Sequence, residues 1–323
     1  MLRMPILSMI VVFMFADVVP AQFGEDSTKG PRPDPAREVI ERWQIGLVVK
    51  AESGPCAGIV GTFALPVDWP EQEVAIIVED YSPFVASHTE RMIGTVKQLV
   101  INIPELPASE EARVVLTVEI RRRALLPPAD TSIFVKVDSK KLHKDIRTYL
   151  GPSPKIESQN GKIKALAKEL GKKSSGQSAW EQVETIYRWV RDNVKHEDGE
   201  SLGAMHALKA RTAEHQDLTR LFIALCRASE IPARTVWEGV PTFCYPEFYL
   251  EDSDGQGYWF PCQMVGDPLF GGITDHRPIW QKGDNFRAPN RPREVVWYLL
   301  PTLEGKGGDP QVKFIRDAVA GMP

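Results

Sequence analysis

The sequence predicts an α+β protein built in two parts, an N-terminal antiparallel β-sandwich followed by a domain of helices and then an antiparallel sheet. Apolar residues alternate with polar ones along residues 39–137, which is the period of half-buried strands. A 3.6-residue period begins near residue 161, and β-type runs return after residue 233. Helices and strands in separate blocks indicate an α+β order. A length of 323 residues with 43% hydrophobic and 25% charged residues suits two globular domains.

Residues 1–21 have the pattern of a secretory signal peptide. Arg3 supplies a positive charge, Ile6–Ala16 is an apolar core, and small residues precede the end of the segment at Ala21. The apolar run of about 11 residues is shorter than the ~20 that a membrane-spanning helix needs. The polar, Pro-rich residues 22–38 are expected to be a flexible lead-in. We therefore expect an exported protein, periplasmic or extracellular, without a transmembrane anchor after cleavage.

Residues 39–137 are predicted to form the β-sandwich. Turn signals rich in Gly, Pro and Asp separate the alternating runs, and no helical pattern intervenes. About 100 residues is the size of an immunoglobulin-like domain, although the Cys-Trp-Cys hallmark is absent. The predicted strands run through Trp43–Val49, Val74–Val78, Leu99–Ile103 and Val114–Ile120.

Residues 138–160 read as a Pro-rich connector with one short helix, and residues 161–300 as the second domain. Ser178 and Glu181 form a capping-box pattern at the start of one of its helices. Gly171 is expected to stop the helix before it. The tail, residues 301–323, carries a weak helical pattern. The predicted helices are Lys140–Tyr149, Ile163–Leu170, Trp180–Val194, Leu218–Ala228, Glu294–Leu300 and Val312–Val319, and the predicted strands are Ala233–Glu238, Cys244–Leu250 and Tyr258–Gln263.

Charge and residue spacing exclude several classes of site. A net charge of −4 and a pI near 6.0 give no basis for nucleic-acid binding. The four cysteines contain no C-x-x-C pair and the six histidines no H-x-x-x-H pair, so no metal site is predicted. No cofactor is predicted either. Partners stay open between a peptide, a protein and an envelope component.

Three segments in the second domain form an ordered set of motifs. Arg211–Asp217 leads into a helix, Phe243–Leu250 is a β-type run, and Gly257–Gln263 contains a W-x-P pattern. They resemble the bacterial transglutaminase-like domain, a papain-like fold that reads G-x-C-x-D-x-x-x-L-F, then H-x-(W/Y)-x-E-x-Y, then W-x-P-x-D. The resemblance covers about residues 150–290.

The resemblance implies that the catalytic Cys, His and Asp of the family are replaced by His215, Phe243 and Gln263. In the family mechanism a thiol at a helix N-terminus becomes a thiolate beside an imidazole base, which a carboxylate orients. Phe243 cannot carry a proton, Gln263 cannot carry charge, and His215 has no base beside it in the motif. Acyl transfer at this site is therefore predicted to be lost.

Three functions stay open for such a protein. The first is a non-catalytic pseudoenzyme whose cleft or β-domain serves binding or interaction. The second is a hydrolase or acyltransferase of altered chemistry that uses His215 in the same cleft. The third is a structural or assembly module. An open cleft lined by aromatic residues would favour the first, titratable groups around His215 the second, and a filled cleft the third.

Two further expectations concern neighbours of these positions. The family fold implies that the strands of Phe243 and Gln263 are adjacent and that Cys244 faces Cys262, close enough for a possible disulfide in an oxidising compartment. Asp217 is interpreted as an acid that favours the helix dipole, and Arg220 as a charge on the solvated face of the helix.

Overall fold

A computed structural model describes residues 29–239, 243–289, 291 and 293–319, so the predicted signal peptide lies outside the described residues. Within them, none of the helices combines the length and the apolar character that crossing a membrane requires. The helices are α1 Lys144–Arg147, α2 Gly161–Lys173, α3 Ala179–Asn193, α4 Ala204–Ala210 and α5 His215–Ala228, and a 3₁₀ turn covers Thr148–Leu150.

The strands fall into a block before the helices and a block after them. The first block is β1 Arg32–Lys50, β2 Cys56–Leu65, β3 Gln72–Tyr81, β4 Ser87–Ile93, β5 Val96–Leu106, β6 Glu111–Leu126 and β7 Phe134–Val135. Two short strands, β8 Lys195–His196 and β9 Thr212–Ala213, lie among the helices. The second block is β10 Ala233–Glu238, β11 Phe243–Asp252, β12 Gly257–Gln263, β13 Leu269–Phe270, β14 Ile279–Lys282, β15 Phe286–Arg287, β16 Val295–Val296, β17 Thr302–Lys306 and β18 Gln311–Ala318.

The N-terminal part is a sandwich of two four-stranded antiparallel sheets. Their orders are β18-β1-β6-β3 and β17-β2-β5-β4. The core between them contains the inward residues of the predicted alternating runs, including Ile45, Leu47, Val114 and Leu116, all at most 2% exposed. The α+β class with a sheet-rich N-terminal region is thus confirmed.

The helical prediction for the C-terminal tail is wrong. All of the stretch Val312–Val319 except Val319 lies in strand β18, which pairs with β1 in a register that joins Leu47 to Phe314, and β17 pairs with β2. Val312 and Phe314 pack partly buried against the sandwich core. Pairing with a long existing strand outweighs a weak local helical pattern, so the tail completes both sheets of the sandwich. The helix predicted over Glu294–Leu300 is also wrong, because that stretch contains β16.

The second domain packs its helices against one antiparallel sheet of order β13-β12-β11-β10-β14, with β7 paired to β11. Helix α5 lies against β10 and β11 and also contacts α2, α3 and α4. Its residues Leu218–Arg227 are all buried. This central position fixes the N-terminus of α5 relative to the ends of the neighbouring strands.

The predicted helices α3 and α5 and strands β10, β11 and β12 are present, and the capping box of Ser178 and Glu181 is formed on α3. Gly171 does not stop α2, which continues to Lys173 and ends at its C-cap Ser174, where the backbone N–H and the hydroxyl of Ser174 both donate to the carbonyl oxygen of Leu170. The helix predicted from Lys140 is reduced to α1 and the 3₁₀ turn. Helix α4 and strand β2 were not predicted.

The predicted register between the strands of Phe243 and Gln263 is wrong by two residues. Phe248 pairs with Phe260, whereas the predicted register would pair it with Tyr258. A shift of two residues leaves every side chain on the same face, so the hydrophobic alternation cannot detect it. The sulfur of Cys262 instead lies 4.0 Å from the carbonyl oxygen of Pro246, and Cys244 and Cys262 are both free thiols in the structure.

Buried polar contacts join the sandwich to the second domain. Lys282 Nζ lies 2.7 Å from a carboxylate oxygen of Glu71 and 2.6 Å from one of Glu247, and all three side chains are at most 3% exposed. Arg122, on β6, donates to Glu238 on β10 at 3.1 Å. The sandwich therefore reaches directly into the sheet that carries the predicted site.

Candidate functional site

The N-terminus of α5 holds His215 against an acidic neighbour. His215 is the first residue of the helix, and Glu214 is its N-cap, with a carboxylate oxygen that accepts from the backbone N–H of Gln216 at 2.7 Å. The other carboxylate oxygen of Glu214 contacts His215 Nδ1. The expectation that His215 has no base or acid beside it is therefore wrong. Glu214, which caps the N-terminus of the helix, also pairs with the imidazole of His215.

Phe243 and Gln263 lie at the ends of their strands nearest to this helix N-terminus. Phe243 begins β11 and Gln263 ends β12. The rings of His215 and Phe243 have centroids 5.5 Å apart at an interplanar angle of 30°. Gln263 Nε2 donates to the carbonyl oxygen of Val265 at 2.9 Å. The three positions that the motifs single out thus border one space.

That space is a cavity of about 440 Å³, called the cleft below, and its lining includes His215, Phe243, Cys244, Gln263, Glu238 and Arg277. Phe243 is 49% exposed. The cleft is therefore not filled by the core, although its lining combines aromatic, acidic and basic side chains. Both an aromatic binding surface and titratable groups are present, so the cleft itself leaves the first two functions open.

The cysteine in the cleft is not activated. Burial raises the pKa of the Cys244 thiol to about 12, although the nearby Arg220 opposes this. Cys226 and Cys262 are fully buried in the core of the second domain, and burial raises their pKa values well above the usual range. Only a thiolate is an effective nucleophile, so none of these three residues carries an activated thiol.

The loop before β14 contributes a guanidinium to the cleft. Arg277 Cζ lies 4.0 Å from the centroid of the Phe243 ring. Arg277 Nε is 2.9 Å from each carboxylate oxygen of Asp275, and Arg277 Nη2 lies 3.9 Å from Glu238. Burial raises the pKa of Glu238 to about 8 even though Arg122 lies beside it. Burial also opposes ionisation of Asp275, but hydrogen bonds from Arg277 outweigh it and lower the pKa of Asp275.

The interpretation of Arg220 as a solvated charge is wrong. Its side chain is 3% exposed, donates to Asp217 at 2.9 Å, and has its guanidinium carbon 5.6 Å from the ring centroid of Trp297. Asp217 also accepts from Ser201 Oγ at 2.7 Å and from the backbone N–H of Leu202 at 2.6 Å. The two residues therefore hold the chain before α4 against α5, a structural role that a helical wheel alone does not reveal.

Sequence reasoning missed Glu214, Glu238, Asp275 and Arg277. Glu214 was in the quoted motif, and its position directly before a helix was a usable signal, because an acidic N-cap is positioned to accept from the first turn. The other three come from separate segments, β10 and the loop before β14, so only the folded sheet brings them together. Cys244 was predicted to face Cys262, whereas the structure places it in the lining of the cleft.

A scan against protein families matches residues 164–264 to the transglutaminase-like superfamily. The matched stretch contains α5, β11 and β12, and with them His215, Phe243 and Gln263. The chain carries a transglutaminase-like domain. The resemblance drawn from the motifs is confirmed. The strands of the β-sandwich lie outside the matched stretch. A comparison with curated proteins found no match.

One solved structure supports the same fold. A candidate cysteine protease from Cytophaga hutchinsonii shares 17% identity with this chain, with 88% of this chain and 95% of that one covered and a TM-score of 0.50. At this identity the similarity concerns the fold alone. The periplasmic domain of TgpA from Pseudomonas aeruginosa shares 10% identity over 68% of this chain and 87% of its own length, with a TM-score of 0.31. A candidate protease from Parabacteroides distasonis shares 14% identity over 70% and 44%, with a TM-score of 0.28.

Proposed function

We propose that this transglutaminase-like protein is an exported pseudoenzyme whose cleft binds a ligand instead of forming a thioester with it. The observation that carries the proposal is the replacement of the helix-terminal thiol by His215, together with the raised pKa of Cys244, the thiol that lines the same cleft. Thiol acyl transfer needs a thiolate, a base and an orienting group within reach of one another. Phe243 and Gln263 can act as neither a base nor a charged orienting group.

The wild-type protein is expected to show no transamidase or amidase turnover and no reaction of thiol-directed reagents at the cleft. The measurements are incorporation of a fluorescent amine into a glutamine peptide, release of ammonia from that peptide, and mass mapping after iodoacetamide treatment of the folded protein. Turnover that persists in Cys244→Ser but disappears in His215→Ala would contradict the pseudoenzyme proposal.

A second function is favoured by one specific contact, that of Glu214 with His215. A carboxylate on Nδ1 fixes the imidazole so that Nε2 is free to act as a base or nucleophile, and His215 Nε2 has no hydrogen-bond partner among the described residues. The alternative is therefore a hydrolase or acyltransferase based on His215. Glu214→Gln separates the two proposals, since it would reduce the turnover rate of a His215 enzyme, whereas a pseudoenzyme has no turnover with or without this substitution.

Export is the second part of the proposal and rests on the pattern of residues 1–21. We expect the mature chain to begin at Gln22, directly after Ala21. Intact-mass analysis of protein recovered from the periplasm or the medium measures this directly. A recovered chain that retains Met1 would contradict cleavage and, with it, the expected oxidising compartment.

A further inference from the structure

The cleft holds its own arginine in a geometry that is specific to a guanidinium. Arg277 presents its planar group to the Phe243 ring at 4.0 Å, and it binds Asp275 through two nitrogens, with Nε donating to Oδ1 at 2.9 Å and Nη2 donating to Oδ2. A guanidinium combines stacking on an aromatic ring with two-pronged hydrogen bonding to a carboxylate, whereas an ammonium group does not. Phe243 and Asp275 thus form the two halves of a guanidinium site.

The surroundings of this site carry more negative than positive charge. Three carboxyl residues besides Glu238 line the cleft, namely Asp198, Glu214 and Asp275, whereas Arg277 is its one lining arginine or lysine among the described residues. Glu238 is left out of this balance because burial raises its pKa to about 8 and because it pairs with Arg122. Hydrogen bonds from Arg277 lower the pKa of Asp275 against the effect of burial, so Asp275 is ionised at neutral pH while a guanidinium is bound to it. A second guanidinium in place of Arg277 would make the same hydrogen bonds.

One polar atom of the cleft also lacks a partner. His215 Nε2 is buried and has no hydrogen-bond partner among the described residues. The contact of His215 Nδ1 with Glu214 places the imidazole hydrogen on Nδ1, so Nε2 is an acceptor in the neutral ring. Buried polar atoms of native proteins are nearly always satisfied. A ligand rich in N–H donors would satisfy this atom.

Arg277 is held mainly by contacts that can open. Its side chain is 42% exposed, and its strongest partner, Asp275, lies two residues away in the same loop. Rotating the side chain of Arg277 into solvent requires no backbone movement at the residues that surround it. Phe243 is held in β11 and His215 in α5, and Asp275 keeps its own place in the loop. The occupant of the site can therefore be exchanged without unfolding the cleft.

We propose that the cleft is a binding site for a guanidinium group, filled in the free protein by Arg277 and, when Arg277 is displaced, by an arginine side chain of a partner peptide. This inference rests on the proposed function, in which the cleft binds rather than catalyses. The two fail separately: turnover by the wild-type protein would contradict the pseudoenzyme, whereas absence of guanidinium binding would contradict only the ligand class.

The test is calorimetric titration of wild type and of Arg277→Met with N-acetyl-arginine methylamide. Removing Arg277, the internal competitor, is expected to strengthen binding by about tenfold. The apparent affinity of a site is its intrinsic affinity multiplied by the fraction of molecules in which the site is free. The uncharged isostere N-acetyl-citrulline methylamide and the ammonium compound N-acetyl-lysine methylamide should both bind Arg277→Met more weakly than the arginine compound. Adding Phe243→Ala should abolish the gain.

Arg316→Met is the matched control, because Arg316 makes a similar contact with an aromatic ring, 4.5 Å from the centroid of Trp280, outside the cleft. This variant should bind the arginine compound as wild type does. A thermal melt establishes that each variant is folded, and Arg277→Gln takes the place of Arg277→Met if the latter is not. A folded Arg277 variant that binds the citrulline or the lysine compound as tightly as the arginine compound would overturn the proposal, as would an equal gain in Arg316→Met.

Discussion

The triple variant His215→Cys, Phe243→His and Gln263→Asp is expected to gain a reactive thiol at position 215. Residue 215 begins α5, where the helix dipole favours a thiolate. Residue 243 is the first of β11 and residue 263 the last of β12, and both border the same cleft. A positioned general base typically contributes about 100-fold or more to the rate. The triple variant should therefore react with iodoacetamide about 100-fold faster than the single variant His215→Cys, which has the thiol but no imidazole.

Glu214 provides a sharper version of this test. Its carboxylate touches residue 215 and would oppose ionisation of a thiol placed there, since like charges disfavour each other. Adding Glu214→Gln to the triple variant should lower the thiol pKa further, which the pH dependence of alkylation measures. If the new cysteine reacts no faster in the triple variant than in the single variant, then positions 215, 243 and 263 do not form a usable triad scaffold, and their equivalence to the family positions is wrong.

The acidic N-cap also explains why this cleft suits cations. In a thiol enzyme of this fold a carboxylate against the nucleophile would be unfavourable, whereas beside an imidazole it is stabilising. The replacement of the thiol by His215 and the presence of Glu214 are therefore physically consistent with each other. Together with Asp275, Glu214 gives the cleft a negative charge that a thioester-forming site would not need.

Elements with a strong local pattern were predictable from the sequence, and those that depend on distant partners were not. Helix α5 follows from the spacing of Leu218, Leu221, Phe222 and Leu225, and the capping box located the start of α3. Strand β18, by contrast, lies in a stretch whose weak local pattern predicts a helix over Val312–Val319. Its partner β1 lies about 270 residues earlier, and a periodicity confined to a short window contains no information on such a pairing.

The same limit applies to the candidate site. The motifs identify His215, Phe243 and Gln263 because each belongs to a local pattern that the family repeats. Arg277 and Asp275 lie in a loop without a periodic pattern, and they reach Phe243 only because β14 pairs with β10 on the far side of the sheet. The two-residue error in the register of β11 and β12 has a related cause, since the length of the turn between Asp252 and Gly257 sets the pairing.

Lys282→Met is expected to destabilise the protein by about 3–5 kcal/mol, the usual cost of removing one partner from a buried ion pair. Lys282 is the one cation within 4.0 Å of the Glu71 carboxylate among the described residues, and Glu71 is buried in the junction between the sandwich and the second domain. Glu247 loses Lys282 as well but keeps Arg234 at 2.7 Å. The measurement is the free energy of unfolding in urea.

Lys173→Met is the matched control for this substitution, because Lys173 is 60% exposed and pairs with Glu169 one helical turn away. Exposed pairs contribute little, so its unfolding curve should overlay that of wild type. The double variant Glu71→Gln and Lys282→Met should recover part of the loss, since it leaves no unpaired carboxylate at the junction. A loss in Lys282→Met no larger than in Lys173→Met would mean that the junction is open to water and that the sandwich does not stabilise the sheet behind the cleft. A loss of about 3–5 kcal/mol in Lys282→Met that is partly recovered in the double variant would instead show that the unpaired charge of Glu71 causes the destabilisation.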